Sequence, residues 1–335
     1  MQEIDTATMD GLRRYYRHFA EVEAAPVSAR YAEWAAAAAE DAEALELIMQ
    51  LPQAKRQANL VFAAARIHDV PLTDWAQARQ AVIDRWSQIS RTALARRTQT
   101  NEAGRIAVLN LALSRIAEET GRPLALIEVG AAAGLCLYPD AWPVRYQHDD
   151  GELLLSPAGQ LRSGAELSCQ VSGVAPPRRL PEVAWRAGID LNPLDLQDPA
   201  DRSWLEALVW PGMEYRLERI NAGAQLVQAD PPRLYAGDLN EKLPQALEEV
   251  PAGAVPVVLH SAVLVYLQPA ERAQFLQTVR RAGVRWVSNE GLRILDEIAA
   301  KLPGEDPERS GFILSLDGEP IARTGPHGQY LHGFG

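Results

Sequence analysis

The chain reads as an α/β protein, with an all-helical N-terminal segment over residues 1–120 and then a mainly parallel sheet over 121–335 that closes on a C-terminal antiparallel hairpin. Three observations predict this. From about residue 7 to 120 apolar side chains recur at helical spacing in a background rich in Ala, Glu, Gln and Arg, with no strand signal. From Pro123 onward short apolar runs alternate with helical patterns, the sign of parallel strands buried on both faces. The terminal GFILSLDGEPIARTGPHGQYLHGF reads as two antiparallel strands joined at Asp317-Gly318, a two-residue hairpin signal.

In chain order, Asn101 to Thr120 predicts a helix capped by Asn101, with Ile106, Leu109, Leu113 and Ile116 on one face and Gly121 and Pro123 as its stop. Five parallel strands follow, at 124–129 (LALIEV), 184–190 (AWRAGID), 232–238 (PRLYAGD), 255–261 (VPVVLHS) and 284–290 (VRWVSNE). Helical patterns at 239–249 and 269–282 supply crossovers. Between the first and second strands, at about 139–182, Gly, Pro and short alternating runs predict an inserted β-rich segment of hairpins.

Composition narrows the function classes. A chain of 335 residues, 47% hydrophobic and 23% charged, supports a packed core and either two domains or one domain with a sizeable extension. With 33 basic against 44 acidic side chains the net charge is −11, so a nucleic-acid partner meets long-range repulsion and none is expected. Two cysteines, Cys136 and Cys169, are too few for a metal cage or a disulfide framework, and no metal is expected. The start, MQEIDTATMD, is acidic where a signal peptide is basic, and the apolar runs are too short to span a bilayer. These features predict a soluble cytoplasmic protein with no membrane partner; they leave the oligomeric state open.

The chemistry gathers at the ends of the strands. The first strand runs into Glu128-Val-Gly130-Ala131-Ala132-Ala133-Gly134, and a glycine turn between a buried strand and a helix lets a ligand approach the backbone at a positive helix terminus. It matches neither G-x-G-x-x-G nor the phosphate-cradling G-x-x-x-x-G-K-S/T. Its spacing resembles the first motif of class I S-adenosylmethionine methyltransferases, E/D-x-G-x-G-x-G, with Ala132 in place of the middle glycine. The resemblance implies a Rossmann-like sheet of the methyltransferase type and a cofactor site on Glu128, Gly130, Ala131 and Gly134. The second strand ends in Gly188-Ile-Asp190-Leu-Asn192-Pro193, similar to the G-x-D-x-S/N-P pattern of those enzymes, whose acid accepts two ribose hydrogen bonds. Asp149 competes for that role; Asp190 is favoured because strand and helix signals flank it. Gly237-Asp238-Leu239 is similar to the methyltransferase element whose acid meets the adenine amino group, and reads equally as a helix cap.

Strands four and five end in His260-Ser261 and Asn289-Glu290-Gly291, at the edge where ligands bind in open α/β sheets. His260 is the expected proton acceptor, with Glu290 as its orienter or a substrate anchor and Tyr266 as a gate; a hydrogen-bonded structural histidine and a core tyrosine are the competing readings. No G-x-S-x-G elbow is present, and Ser261 beside His260 points to the opposite face of its strand, which disfavours a hydrolase.

The blocks QTNEAGRIAVL from Gln99, LALIEVGAAAGLCLYPD from Leu124, AGIDLNPLDLQDPADRSWLEALVWP from Ala187, AGDL from Ala236, VVLHSAVLVYL from Val257 and VSNEG from Val287 together resemble the bacterial domain-of-unknown-function family 2332 over nearly the whole chain. That family brings no reaction with it. The resemblance implies that Gln99, Asn101, Glu102 and Arg105 belong to a substrate or lid site; a helix with an Asn101 cap and a Glu102–Arg105 surface pair is the competing reading. Trp210-Pro211, Arg216 and Arg219 fall in another block, as an anion clamp or a solvated helix face. The reading as a whole expects methyl transfer from S-adenosylmethionine to a small-molecule O or N acceptor, with S-adenosylhomocysteine as bound product and the helical segment as a lid. The alternative is a catalytically silent cofactor- or metabolite-binding protein.

Overall fold

The computed structural model describes residues 6–148, 150–303 and 311–334. By contact the chain forms two compact units, Met1–Thr100 with Asp198–Glu218, and Asn101–Gln197 with Arg219–Gly335.

The first unit is helical in its described residues. Short polar residues start its helices: the side chains of Thr8, Ser28, Asp41 and Asp74 each accept the backbone N–H three residues on, at Gly11, Tyr31, Ala44 and Gln77. Its core is aromatic. The Phe62 ring lies 5.2 Å from Tyr31 and 5.4 Å from Trp34, and Trp210 lies 5.2 Å from Phe19. Ala35, Ala38 and Ala39 are fully buried, so the alanine run of helix Ala29–Glu40 serves close packing.

The second unit holds a mixed, mostly parallel sheet that has eleven strands among the described residues: β1 (Leu124–Val129), β2 (Val144–His148), β3 (Gly151–Leu155), β4 (Leu167–Ser172), β5 (Val183–Asp190), β6 (Arg233–Ala236), β7 (Val255–Ser261), β8 (Arg285–Gly291), β9 (Phe312–Leu316), β10 (Glu319–Thr324) and β11 (Tyr330–His332). Their order is β3-β2-β4-β11-β10-β9-β8-β7-β1-β5-β6. The five strands read from the sequence are β1, β5, β6, β7 and β8, and all pair in parallel. Every residue of β1 is buried, Glu128 included, as a run apolar at its other five positions favours, whereas β6 at the margin is half exposed. Helix Arg105–Thr120 leads into β1 and ends on Gly121 in the left-handed conformation (φ 63°). It contacts β4, β8 and β9, so it belongs with the sheet rather than with the preceding helices. Helices Leu239–Glu248 and Pro269–Ala282 carry the later crossovers.

Four local expectations are corrected. Asn101 does not cap the helix; Gly104 occupies that place. The segment expected as an insertion is the far end of the same sheet: β2 and β3 form a hairpin, but β4 pairs in parallel with both β2 and β11. The C-terminal stretch makes three strands, and its hairpin is internal because β11 covers the free edge of β10 and hands the sheet on to β4. The turn itself is as read: Leu316 pairs with Glu319 across Asp317 and Gly318, both at positive φ (52° and 84°). Finally, β1 is followed by a single 3₁₀ turn, Leu135–Leu137, and not by a helix, so no helix dipole points at the glycine turn.

Candidate functional site at the carboxyl edge of the sheet

Strand order reverses at β1, with β5 and β6 on one side and β7 and β8 on the other, and such switch points open a crevice at the carboxyl ends of the strands. The glycine turn lies there. Gly130, Ala132 and Gly134 all have left-handed backbone (φ 75°, 49° and 73°). Alanine is disfavoured in that region, by about 1 kcal/mol, so the turn holds Ala132 under strain in the conformation that a middle glycine adopts freely. A Cβ on Gly130 would lie 2.4 Å from Val263 Cγ2, and one on Gly188 2.6 Å from Ala131 Cβ, so both glycines permit tight packing under the turn.

The amides of the turn are largely bonded within the protein. Gly130 and Ala131 N–H donate to Ile189 O (2.8 and 3.2 Å), Gly134 N–H to Ala131 O (2.7 Å), and Leu135 N–H to Asn101 Oδ1 (2.9 Å). Asp190 Oδ2 accepts Ala132 N–H (2.9 Å) and Oδ1 accepts Asn192 N–H (2.8 Å). Asp190 therefore ties the end of β5 to the turn, while Asn192 acts here through its backbone. The competing ribose acid, Asp149, lies outside the described residues.

Glu128 is different. It is buried on all sides, and its Oε2 has no hydrogen-bond partner among the described residues. Burial pushes its carboxyl up to about 8; the Arg105 charge and the Cys136 thiol pull down, and Asp190 adds to the rise. Burial also drives the Cys136 thiol up, so it remains protonated.

Around Glu128 lies a buried polar network. Glu102 Oε1 accepts from Gly104 N–H and from Arg219 Nη1, both at 2.8 Å. Arg105 donates from Nε to Pro326 O (2.9 Å) and from Nη1 to Ser261 O (3.1 Å). Thr324 Oγ1 donates to Asn289 Oδ1 (2.6 Å), and Asn289 Nδ2 to Ser261 Oγ (3.0 Å). Asn101, Glu102 and Arg105 are all buried, so the surface pair does not describe them; Arg216, which belongs to the helical unit, is buried as well and is not on a solvated helix face. Gln99 sits just before this segment, in the other unit, half exposed. Thr324 escaped the sequence reading, and Asn289, named at the end of its strand, was given no role, although the alternation of β8 puts it on the face of Ser261 and opposite to Glu290. The backbone approach of Gly104 and Gly328, where a Cβ on Gly328 would lie 2.0 Å from Gly104 O, had no local signal at all.

On the other face of the sheet His260 is fully buried. Trp286 Nε1–H donates to its Nε2 (3.0 Å) and its Nδ1 meets Glu290 Oε1 (2.8 Å). An indole N–H only donates, so Nε2 accepts and Nδ1 carries the proton given to Glu290. Both nitrogens are spent and no surface of the ring is open. The described geometry is that of a buried, doubly hydrogen-bonded imidazole with no exposed edge. Glu290 Oε1 also accepts Val263 and Leu264 N–H (3.0 and 3.2 Å), so the pair anchors the loop after β7. That loop begins at Ala262, again left-handed (φ 59°), and exposes Tyr266, 74% accessible, in place of the core position considered for it. Asp238 caps helix Leu239–Glu248 through Asn240 N–H (2.8 Å), and Leu239 packs in the core beside Val129 and Ile189.

Among the described residues no group of three or more His, Cys, Asp or Glu is arranged to hold a metal, and no helix is long and apolar enough to cross a membrane. Fold and site define an α/β protein with a buried acidic and glycine-lined candidate site at the switch point of its sheet. The family model described as "Uncharacterized protein conserved in bacteria (DUF2332)" matches residues 13–332, and the chain belongs to that family. No curated protein and no solved structure matches the chain.

Proposed function

We propose that the sheet unit binds S-adenosylmethionine at the β1 turn and supports methyl transfer to an O or N atom of a small molecule. The observation that carries this reading is Glu128: a buried carboxylate oxygen without a partner, at the end of the switch-point strand and beside a left-handed glycine turn. A ligand ammonium group would satisfy it, and S-adenosylmethionine carries one. When bound, that cofactor supplies an electrophilic methyl group on a sulfonium. Glu128 would hold the ammonium, and the Gly130–Gly134 turn would let the chain of the ligand pass close to the backbone. Asp190 would receive the ribose hydroxyls; a carboxylate presents about four acceptor positions, so its bonds to Ala132 and Asn192 are compatible with added donors. Tyr266, exposed on a loop tied down by Glu290, would orient the acceptor. Positioning of the acceptor is the main contribution asked of the protein. The burial of His260 favours a second reading, a binding protein without catalysis, since it withdraws the expected base.

Calorimetric titration of S-adenosylhomocysteine into the intact protein and into Asp190→Ala tests the assignment. Loss of a charge-assisted contact is expected to weaken binding by roughly 10- to 150-fold. A melting curve taken alongside reports whether the turn held by Asp190 has itself opened. Equal affinities would remove Asp190 from the ribose site and leave Asp149 as its candidate.

A further inference from the structure

The helical unit carries a second feature, independent of the glycine turn. A groove of about 420 Å³ is lined by His68, Gln88, Arg91, Thr92, Ala95 and Arg96. Four of these, Gln88, Arg91, Thr92 and Ala95, recur at i, i+3, i+4 and i+7 and so form one face of helix Trp86–Ala95. His68 caps the end of helix Ala58–Ile67 and closes the opposite side, with its Nε2 2.8 Å from Thr92 Oγ1. Apart from the methyl of Ala95, the lining offers guanidinium, imidazole, amide and hydroxyl groups, and no carboxylate.

The charge around the groove opposes that of the chain. The net charge is −11, yet Arg85 to Asn101 contains four arginines and no acid. Arg96 is paired with Asp201. Arg91 bonds through Nε to Ser87 O (3.0 Å), and among the described residues neither it nor Arg97 meets a carboxylate. Burial holds the Lys55 amine below its ordinary range, and the nearby charge of Arg97 adds to the effect. Arg91 is thus the guanidinium of the groove that no carboxylate among the described residues neutralises, and such a charge in a concavity on an acidic protein concentrates anions.

We propose that this groove is a binding site for a compact organic phosphate, with the Arg91 guanidinium and the Thr92 hydroxyl on the phosphate and Gln88 and His68 on the organic body. The forked donors of arginine match phosphate oxygens, and the volume lies in the range of small-ligand pockets, about 300–1,000 Å³. A longer polyanion does not match a concavity of this size.

The test is calorimetric titration of the full chain at constant ionic strength with glucose 6-phosphate, and with glucose, sodium sulfate and a single-stranded DNA oligomer as comparisons. Glucose 6-phosphate is expected to bind and glucose not to bind. Arg91→Gln, on the exposed side of its helix, is expected to keep the melting temperature and to weaken glucose 6-phosphate binding by roughly tenfold or more, the loss of one charged hydrogen bond. Equal affinity of Arg91→Gln and the intact protein would overturn the proposal, as would absence of heat at about 10 mM glucose 6-phosphate, weaker than any affinity the proposal allows. Sulfate binding as tightly as glucose 6-phosphate would overturn the organic body, and DNA binding that depends on Arg91 while glucose 6-phosphate fails would replace the small ligand by a nucleic acid.

Discussion

His260→Ala is expected to destabilise the sheet unit by about 3–5 kcal/mol, the range for removing one member of a buried hydrogen-bonded pair. Two groups lose the imidazole together: Trp286 Nε1–H, left without its acceptor, and Glu290 Oε1, left with the Val263 and Leu264 amides alone to hold it in place. The cavity left between Phe275 and Trp286, whose rings lie 5.4 and 6.0 Å from the imidazole, adds to the cost. Urea unfolding followed by Trp fluorescence measures it. An unchanged midpoint would mean that the imidazole is not the keystone of the network and would reopen its role as a base.

The second large effect is a dependence on pH that Glu128→Gln should abolish. The carboxyl of Glu128 titrates near 8 in the folded chain against 4.5 when exposed. Between those values the native state holds a proton that the unfolded chain has lost, so stability falls as pH rises through the window. The full span is worth about 5 kcal/mol as an order of magnitude, most of it between pH 5 and pH 8. Denaturation midpoints from pH 5 to pH 8 are expected to decline for the intact protein relative to Glu128→Gln, which is neutral throughout. Parallel curves would show that Glu128 is already ionised, with a partner that satisfies it.

Much of the architecture was legible because its signals are local. Leu124–Val129 and Val255–Ser261 are mostly apolar runs that turn polar only toward their carboxyl ends, and their bounds are those read from the sequence. Asp317-Gly318 is a hairpin turn by residue chemistry alone. The misplacements share one cause, pairing between segments far apart in the chain. Nothing near Tyr330 announces that β11 will pair with β4 some 160 residues earlier and so make the hairpin internal. Asn101 has the chemistry of a cap, but Leu135 N–H, thirty-four residues on, takes its Oδ1 instead. Segment Asp198–Glu218 sits between two strands of the sheet in sequence and belongs to the helical unit by contact, through rings such as Trp210 that carry no address.

The candidate site divides in the same way. Left-handed Gly130 and Gly134 and the acid at Asp190 follow from the spacing of the motif. The fate of His260 does not, because it is decided by Trp286 on the neighbouring strand, paired in a register that only the folded sheet defines. Glu128 was read as the first residue of a cofactor motif; that its carboxylate is buried with an unpartnered oxygen is a property of the packing of Arg105 and Cys136 around it.

The most direct test of the central claim is titration of S-adenosylhomocysteine into the intact protein at pH 7 in two buffers of different ionisation enthalpy. Glu128 holds a proton at that pH and must release it to meet the ammonium group, so the account predicts binding whose heat changes with the buffer by close to one proton released, and an affinity that rises with pH toward 8. Glu128→Gln should bind more weakly and release no proton. Buffer-independent heat shared by both proteins, or no binding at millimolar ligand, would contradict the assignment of this site to S-adenosylmethionine.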